Sequence, residues 1–522
     1  MDESTRIIRS LRNPSLWPDA PGHVDLIETH ISWVLVTREF AWKIRKPVSF
    51  GFIDFSTLEL RLRYAEEELR LNRRTSPHLY LGIVPITGTR NAPVIGGEGP
   101  VIEYAVQMRR FEQDQLLLRV ADAGAIGSDA IIRLAETLAA MHQHVETAHG
   151  SSCFGTLEAV SHDALDNFNA LASLLPSDDP DMPVLKKLQA WTVAELERLA
   201  PVIEQRHQSG MVRECHGDLH LGNIVMIDDR PTLFDCLEFN EQFRWIDVMN
   251  EIAFLIMDLE EHRQHSGSRI LLNRYLEITG DYHGLKLLQF YIVYRAMVRA
   301  KVDLLRCRQS EDEVMSRRMT LESSDYLHLA ARNAIRSQPI LIIMHGVSGS
   351  GKSYVSSRLL AKAPCVRIRS DIERKRLSGL GETQRSDGEV NRQLYSVSRS
   401  AQTYQRLLNL AELILDAGHS VVVDAVFMSH EHREPFQQLA ERLGAPFLIL
   451  ACEAPADILR SRVYARQAAN LDPSDADVSV LEKQLSVNRD LELECESHLI
   501  RINTASESAI DDALRNVCQL LG

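Results

Sequence analysis

Residues 340–353 read ILIIMHGVSGSGKS. Five apolar residues, Ile340–Met344, lead into Gly346-Val347-Ser348-Gly349-Ser350-Gly351-Lys352-Ser353. The spacing is G-x-x-x-x-G-K-[ST], and each residue type has a job. Glycines let the backbone wrap until its N–H groups face phosphate oxygens. Lys352 reaches the outer phosphates, Ser353 can hold Mg²⁺, and the helix that follows presents its positive end to the anion. An apolar strand before the loop and a helical pattern after it are the context this motif requires.

Outward from the loop, strands and helices alternate: strands at 340–344, 365–368, 420–424 and 446–451, helices at 352–361, 393–417, 430–443 and 455–468. Such alternation predicts an α/β domain with a mainly parallel sheet. Upstream, Ser337-Gln338-Pro339 breaks a long helical pattern. The expected domains are therefore 1–336 and 337–522. In the first, residues 24–48 read as a strand pair, His30–Val36 and Phe40–Ile44. Leu58–Arg74 reads as an amphipathic helix and 245–335 as helical nearly throughout.

Four further positions in the second half carry chemistry. Asp371, after the second strand, could take a proton from a hydroxyl as general base, or cap the next helix. Asp424 ends the apolar strand Val421–Val423, where a carboxylate suits an Mg²⁺ site or a structural cap. Arg462 and Arg466 lie four apart on one helix face, placed to steady a transferring phosphoryl group or merely to meet solvent. Five basic residues between Arg367 and Arg376 could grip an anionic substrate or form a solvated helix face. The Gly346–Ser353 loop, the run Ser370 to Lys375 and the R-V-x-x-R stretch together resemble the small P-loop kinases. That group includes gluconate kinases, chloramphenicol phosphotransferases, the 5'-kinase part of polynucleotide kinases and zeta-toxin kinases.

The first half holds a second constellation. Cys215-His216-Gly217-Asp218-Leu219-His220-Leu221-Gly222-Asn223 contains H-x-D-x-x-x-x-N, and Asp235 follows seventeen residues after Asp218. A base, a metal-holding amide five residues on and a second metal-holding carboxylate form a phosphoryl-transfer set. The loop resembles H-G-D-x-H-x-x-N of the aminoglycoside and choline kinase-like branch of the protein-kinase fold. The resemblance implies Asp218 as catalytic base, Asn223 and Asp235 as Mg²⁺ ligands, His216 as loop organiser and Asp247 as a brace for the loop. It also implies a nucleotide-phosphate lysine, Lys43 with Lys46 as the competitor, and an ion-pair partner, Glu68. One departure stands out: the turn Val36-Thr37-Arg38-Glu39 carries no glycine. The whole chain, with Glu28–Trp33 and Leu71–Arg74 as further matching stretches, resembles bacterial fusions of an aminoglycoside phosphotransferase-like domain and an ATP-binding domain. The implied fold is an α+β protein-kinase-like domain followed by an α/β P-loop kinase domain.

Composition narrows the function. The 522 residues carry 58 basic and 72 acidic side chains, a net charge of -14, with most of the surplus in the first half. An acidic chain is a poor bulk binder of nucleic acid, whose affinity rests on neutralising phosphates. No apolar run approaches the ~20 residues of a membrane span. Eight cysteines without a C-x-x-C pair fit a reducing cytoplasm. The sequence thus predicts a cytoplasmic, ATP- and Mg²⁺-dependent kinase with two nucleotide sites and a small-molecule hydroxyl acceptor. Its rivals are a P-loop ATPase or sensor whose kinase-like half is a binding module, and a toxin-like or polynucleotide kinase. The oligomeric state is left open.

Overall fold

Ser32–Val36 and Phe40–Arg45 are β-branched and aromatic enough to pair as antiparallel strands, and they do so in the register Val34 to Lys43. They belong to a computed structural model that describes residues 3–50, 53–149, 152–310, 312–381, 396–469, 478–487 and 498–521. Contacts divide the chain into two compact units. One comprises Met1–Asn169 and Leu196–His262, the other Ala170–Glu195 and Arg263–Gly522.

In the first unit the pair read at 24–48 is a three-stranded meander, because Asp25–Glu28 adds an edge strand closed by the Thr29 side chain. With β1 (Asp25–Glu28), β2 (Ser32–Val36), β3 (Phe40–Arg45), β4 (Tyr80–Thr89), β5 (Ala92–Ile95) and β6 (Glu103–Arg109), the sheet runs β1-β2-β3-β6-β4-β5, all antiparallel. One face buries Trp33, Leu35, Trp42, Ile44 and Ile86 against Ile7, Ile8 and Leu11. The other meets the helix Leu58–Arg73 through Ala65, which clusters with Ala41 and Val106. Burying that much apolar surface is what fixes the register, since a slip of one residue would expose the whole set. The loop Cys215–Asn223 follows the short strand Val212–Glu214 and precedes the hairpin Ile224–Ile227/Arg230–Leu233.

The second unit is built on five parallel strands, β7 (Leu341–His345), β8 (Cys365–Arg369), β9 (Ser420–Asp424), β10 (Phe447–Glu453) and β11 (Leu499–Asn503), in the order β8-β9-β7-β10-β11. Ile342, Met344, Val422 and Leu450 pack on one side against Val355, Leu359, Ile510 and Leu514. Nearly every residue of β7 and β9 is buried, as a sheet covered on both faces demands. Contacts place the helices His265–Thr279, Leu285–Gln309 and Glu313–Asn333 in this unit, although the chain pattern groups them with residues 1–336. One reason is visible at the edge strand β8. Asn273 donates Nδ2 to the Cys365 carbonyl (3.0 Å) and accepts the Arg367 N–H on Oδ1 (2.8 Å), so a helix caps backbone groups that would otherwise be open. Among the described residues no helix is long and apolar enough to cross a membrane.

Candidate active sites

The 346–353 loop wraps as its glycines allow. Gly346 (φ 138°) and Gly349 (φ 78°) adopt backbone conformations that side chains disfavour. A Cβ on them would lie 2.5 Å from the Cys452 carbonyl and 2.8 Å from the Leu459 carbonyl, respectively. Lys352, first residue of the helix Lys352–Lys362, donates Nζ to the carbonyls of Gly346 and Val347, both at 2.9 Å. A cavity of about 440 Å³ is lined by Ser348, Gly349, Gly351, Lys352, Ser353, Asp371, Asp424 and Arg462. Gly346 and Ser350 shape the loop without lining it. Asp424 accepts a hydrogen bond from the Ser356 hydroxyl (3.3 Å), and with Ser353 it puts hard oxygen donors in one cavity.

Asp371 does not cap its helix. The helix Ser370–Leu377 has Arg369 as its N-cap residue and no side-chain cap, and Asp371 pairs instead with Arg374 at 2.8 Å. Arg462 donates to Thr504 Oγ1 (2.9 Å) and Thr504 O (2.7 Å), while Thr504 Oγ1 donates to the Ser350 carbonyl (2.7 Å). The Arg466 side chain lies outside the described residues. Sequence reasoning missed three neighbours of the loop: Thr504, Gln484, whose Oε1 accepts the Ser348 N–H (2.7 Å), and His345. His345 is 3% exposed. Burial, then the charges of Arg433, Lys352 and Arg501, push its imidazole pKa down to about 4.

In the first unit Lys43 on β3 forms ion pairs with Glu68 (2.9 Å) and with Asp235. Lys46 does not join them; it pairs with Glu28 at 2.6 Å. Burial opposes the Lys43 ammonium, but Asp235, Glu68 and Glu238 together hold its pKa above the ordinary lysine value. Burial opposes ionisation of Asp235 as well, yet Lys43 wins, and its carboxyl stays below the usual range although Asp218 repels it. Asp235 sits just past the hairpin with φ 61°, held by its N–H on Tyr80 Oη (3.0 Å) and by the Cys236 N–H on Asn72 Oδ1 (3.0 Å). Asn223 donates Nδ2 to Asp218 O (2.9 Å) and Oδ2 (3.3 Å), which leaves its Oδ1 as an oxygen donor to a cation. Two residues that sequence reasoning passed over complete the network: Arg45 bridges Glu68 (2.5 Å) and Glu238 (2.7 Å).

The loop is braced differently from the resemblance. Asp247 pairs with Arg206 (2.7 Å) and caps the helix Val248–Glu261; Glu251 is the residue that accepts the N–H groups of His216 (2.6 Å) and Gly217 (2.8 Å). His216 Nε2 meets the Phe234 carbonyl at 2.9 Å, tying the loop to the segment that carries Asp235. Burial lowers the His216 pKa, but Cys236, Glu251 and that carbonyl raise it more, to about 9. His220 Nδ1 accepts the Gly222 N–H (3.1 Å), a role inside the loop. Neither turn of the meander carries a glycine, at Thr29–Ile31 or at Thr37–Glu39.

Two protein families match the chain. The phosphotransferase enzyme family matches residues 64–288 and an AAA domain matches 341–491. A Mycobacterium tuberculosis protein, Uncharacterized protein Rv2004c, is 30% identical over 452 residues, covering 86% of this chain and 87% of that one. The chain belongs to this family of two-domain, phosphotransferase and P-loop kinase proteins. Its P-loop half also matches the adenylyl-sulfate kinase of Myxococcus xanthus, 31% identical over 132 residues, 24% of this chain and 64% of the enzyme. The solved Plasmodium vivax ethanolamine kinase aligns over 60% of the chain and 84% of its own length, with 9% identity and a TM-score of 0.38. The phosphotransferase match takes in β4–β6 of the first sheet, and the P-loop match takes in β7–β10 of the second.

Proposed function

We propose that this chain is an ATP- and Mg²⁺-dependent phosphotransferase acting on a hydroxyl of a small molecule in the cytoplasm, with a nucleotide site in each half. In this reading residues 1–336 act as the kinase-like domain and 337–522 as the P-loop domain. The observation that carries it is one cavity shared by the phosphate loop and Asp371, a carboxylate with no capping role. The acceptor oxygen bonds to the γ-phosphorus while the bond from that phosphorus to the bridging oxygen of ADP breaks, and the hydroxyl proton goes to Asp371. Lys352 and Arg462 face the phosphates. Ser353 and Asp424 would hold Mg²⁺ here, and Asn223 and Asp235 in the first unit; the ion would neutralise phosphate charge. In the first unit Asp218 takes the role of base, and Glu68 orients Lys43 toward phosphate. The likeness to an adenylyl-sulfate kinase supports a small-molecule acceptor.

The test is a metabolite-pool screen with γ-labelled ATP, comparing the whole chain with Lys352→Ala and Asp235→Ala. A labelled organic product that disappears in Lys352→Ala is expected. Label found only in inorganic phosphate would favour the second reading, a P-loop ATPase with a kinase-like binding module. That reading draws on the two glycine-free turns and on a Lys43 already engaged by two carboxylates.

A further inference from the structure

Five basic side chains crowd the stretch from Arg367 to Arg376, and the fold sorts them. Arg369 and Arg374 line the P-loop cavity, Lys375 is buried without lining it, and Arg376 turns onto Glu373 and the Glu277 carbonyl. Arg367, on the edge strand β8, is buried and meets two helices at once. Its Nε (3.0 Å) and Nη2 (2.8 Å) donate to Glu277 Oε1 on the helix His265–Thr279. Its Nη1 donates to the hydroxyls of Ser356 (3.2 Å) and Ser357 (2.7 Å) on the helix Lys352–Lys362 that follows the phosphate loop.

Ser356 connects this pair to the site. It is fully buried. A guanidinium only donates, so the Ser356 oxygen receives Arg367 and the hydroxyl hydrogen goes elsewhere. Two acceptors lie within reach: Asp424 Oδ2 at 3.3 Å and the Ser353 carbonyl at 3.2 Å. These belong to the two residues proposed to hold Mg²⁺. A carboxylate has about four lone-pair positions, so one hydrogen bond fixes Asp424 and still leaves it oxygen lone pairs for a cation. Arg367 is fixed in turn by Glu277, which is also buried. A buried ion pair adds little net stability once both charges are desolvated; what it supplies here is a guanidinium fork held in one orientation. Glu277 lies outside the P-loop match at 341–491. It falls inside the phosphotransferase match at 64–288, although contacts place its helix in the second unit.

We infer that Ser356 and Arg367, anchored by Glu277, are positioning residues of the P-loop site: they fix Asp424 and Ser353 in the geometry that binds Mg²⁺, without touching metal, nucleotide or acceptor themselves. The metal affinity of the P-loop site is thereby set in part by a helix that lies outside the P-loop family's own stretch. This rests on reading Ser353 and Asp424 as the metal-holding pair.

The experiment uses the full chain and a non-hydrolysable ATP analogue, titrated by calorimetry with Mg²⁺ present and with EDTA in its place. Binding that disappears in Lys352→Ala belongs to the P-loop site, and the ratio of its two affinities measures what the metal contributes there. That ratio should fall about 10-fold or more in Ser356→Ala, the size typical of a lost partner behind a metal ligand. It should fall in Arg367→Lys too, because an ammonium does not span Glu277 and Ser356 as the guanidinium fork does. Affinity in EDTA should match the parent in both variants, which also shows that the loop is folded. Ser357→Ala, which removes the other hydroxyl on Arg367, should leave the ratio unchanged. An unaltered ratio in Ser356→Ala or in Arg367→Lys, an equal fall in Ser357→Ala, or an equal loss of affinity in EDTA overturns the inference. Asp424→Asn keeps the two failures apart: if the ratio persists in that variant, the metal reading of the pair falls first, and the positioning inference with it.

Discussion

Lys352 and Lys43, the two lysines proposed to meet phosphate, are held in opposite ways. Lys352 folds back on carbonyls five and six residues before it, within its own loop. Lys43 is engaged by carboxylates 25 and 192 residues away, and one of these is shared with Arg45, which reaches a third, Glu238. The first site is a local motif whose shape is dictated by glycine backbone freedom. The second is a tertiary constellation in which charges from three segments neutralise one another in a poorly solvated place. In a buried polar network each member supports the others, so the loss of one is felt by all.

The sharpest test of that contrast is chemical. A positioned base contributes roughly 10² to 10⁴-fold, so Asp371→Asn should cut turnover by that factor with ATP affinity unchanged. Steady-state kinetics with the product found in the screen measures it, and a fall in affinity equal to the fall in turnover would break the assignment.

Glu68→Ala is the corresponding break in the first unit. Glu68 is fully buried and faces both Lys43 and Arg45. Its removal leaves two cations without their central partner, which costs about 3–5 kcal/mol. Urea unfolding followed by tryptophan fluorescence should show the first unit destabilised, and P-loop nucleotide affinity untouched. A change below about 1 kcal/mol would mean that the network is solvated and worth no more than a surface pair.

His345 sharpens the comparison through pH. Its folded pKa is depressed from 6.5 to about 4, so the unfolded chain takes up a proton that the fold refuses. The fold therefore loses stability as pH drops from about 6.5 to about 4, by about 3 kcal/mol at full extent, and nothing from this group changes above pH 7. In His345→Met that part of the slope should vanish. An unaltered slope would assign the acid sensitivity to other groups.

The smallest effect concerns where the P-loop unit ends. Asn273→Ala leaves the Arg367 N–H and the Cys365 carbonyl of β8 without their partner, a loss of about 1–3 kcal/mol. Unfolding by urea should show the unit weakened by that amount, and a fragment starting at 337 should melt below one starting at 263. Equal melting of the two fragments would show that the helices before 337 add nothing to the sheet.

How much could be read in advance depended on how far apart the cooperating residues lie. Strand Ser420–Asp424 and helix His430–Leu443 have the bounds expected from the chain pattern, because Val421–Val423 is an unbroken apolar run and Phe436, Leu439, Ala440 and Leu443 recur at helical spacing. Strand Asp25–Glu28 was absent from that expectation: its residues are mostly exposed, so no hydrophobic alternation marks it. Asp247 was expected to brace the kinase-like loop, and Glu251 does so. Both stand at the start of one helix, and only packing decides which carboxylate meets the His216 and Gly217 N–H groups.

Sequence alone therefore determined the phosphate loop, the alternation of strand and helix around it, and the identity of the residues in the H-G-D loop. Each is encoded over a few neighbouring positions, where backbone preference and residue spacing act directly. Only the tertiary structure paired Lys43 with Glu68 and Lys46 with Glu28, brought Arg45 and Glu238 to Glu68, turned Arg367 and Arg376 away from the cavity while leaving Arg369 and Arg374 in it, and set Thr504 against Arg462. These are contacts between distant charged and polar groups, whose strength depends on how much water the completed fold excludes, and no single segment encodes that.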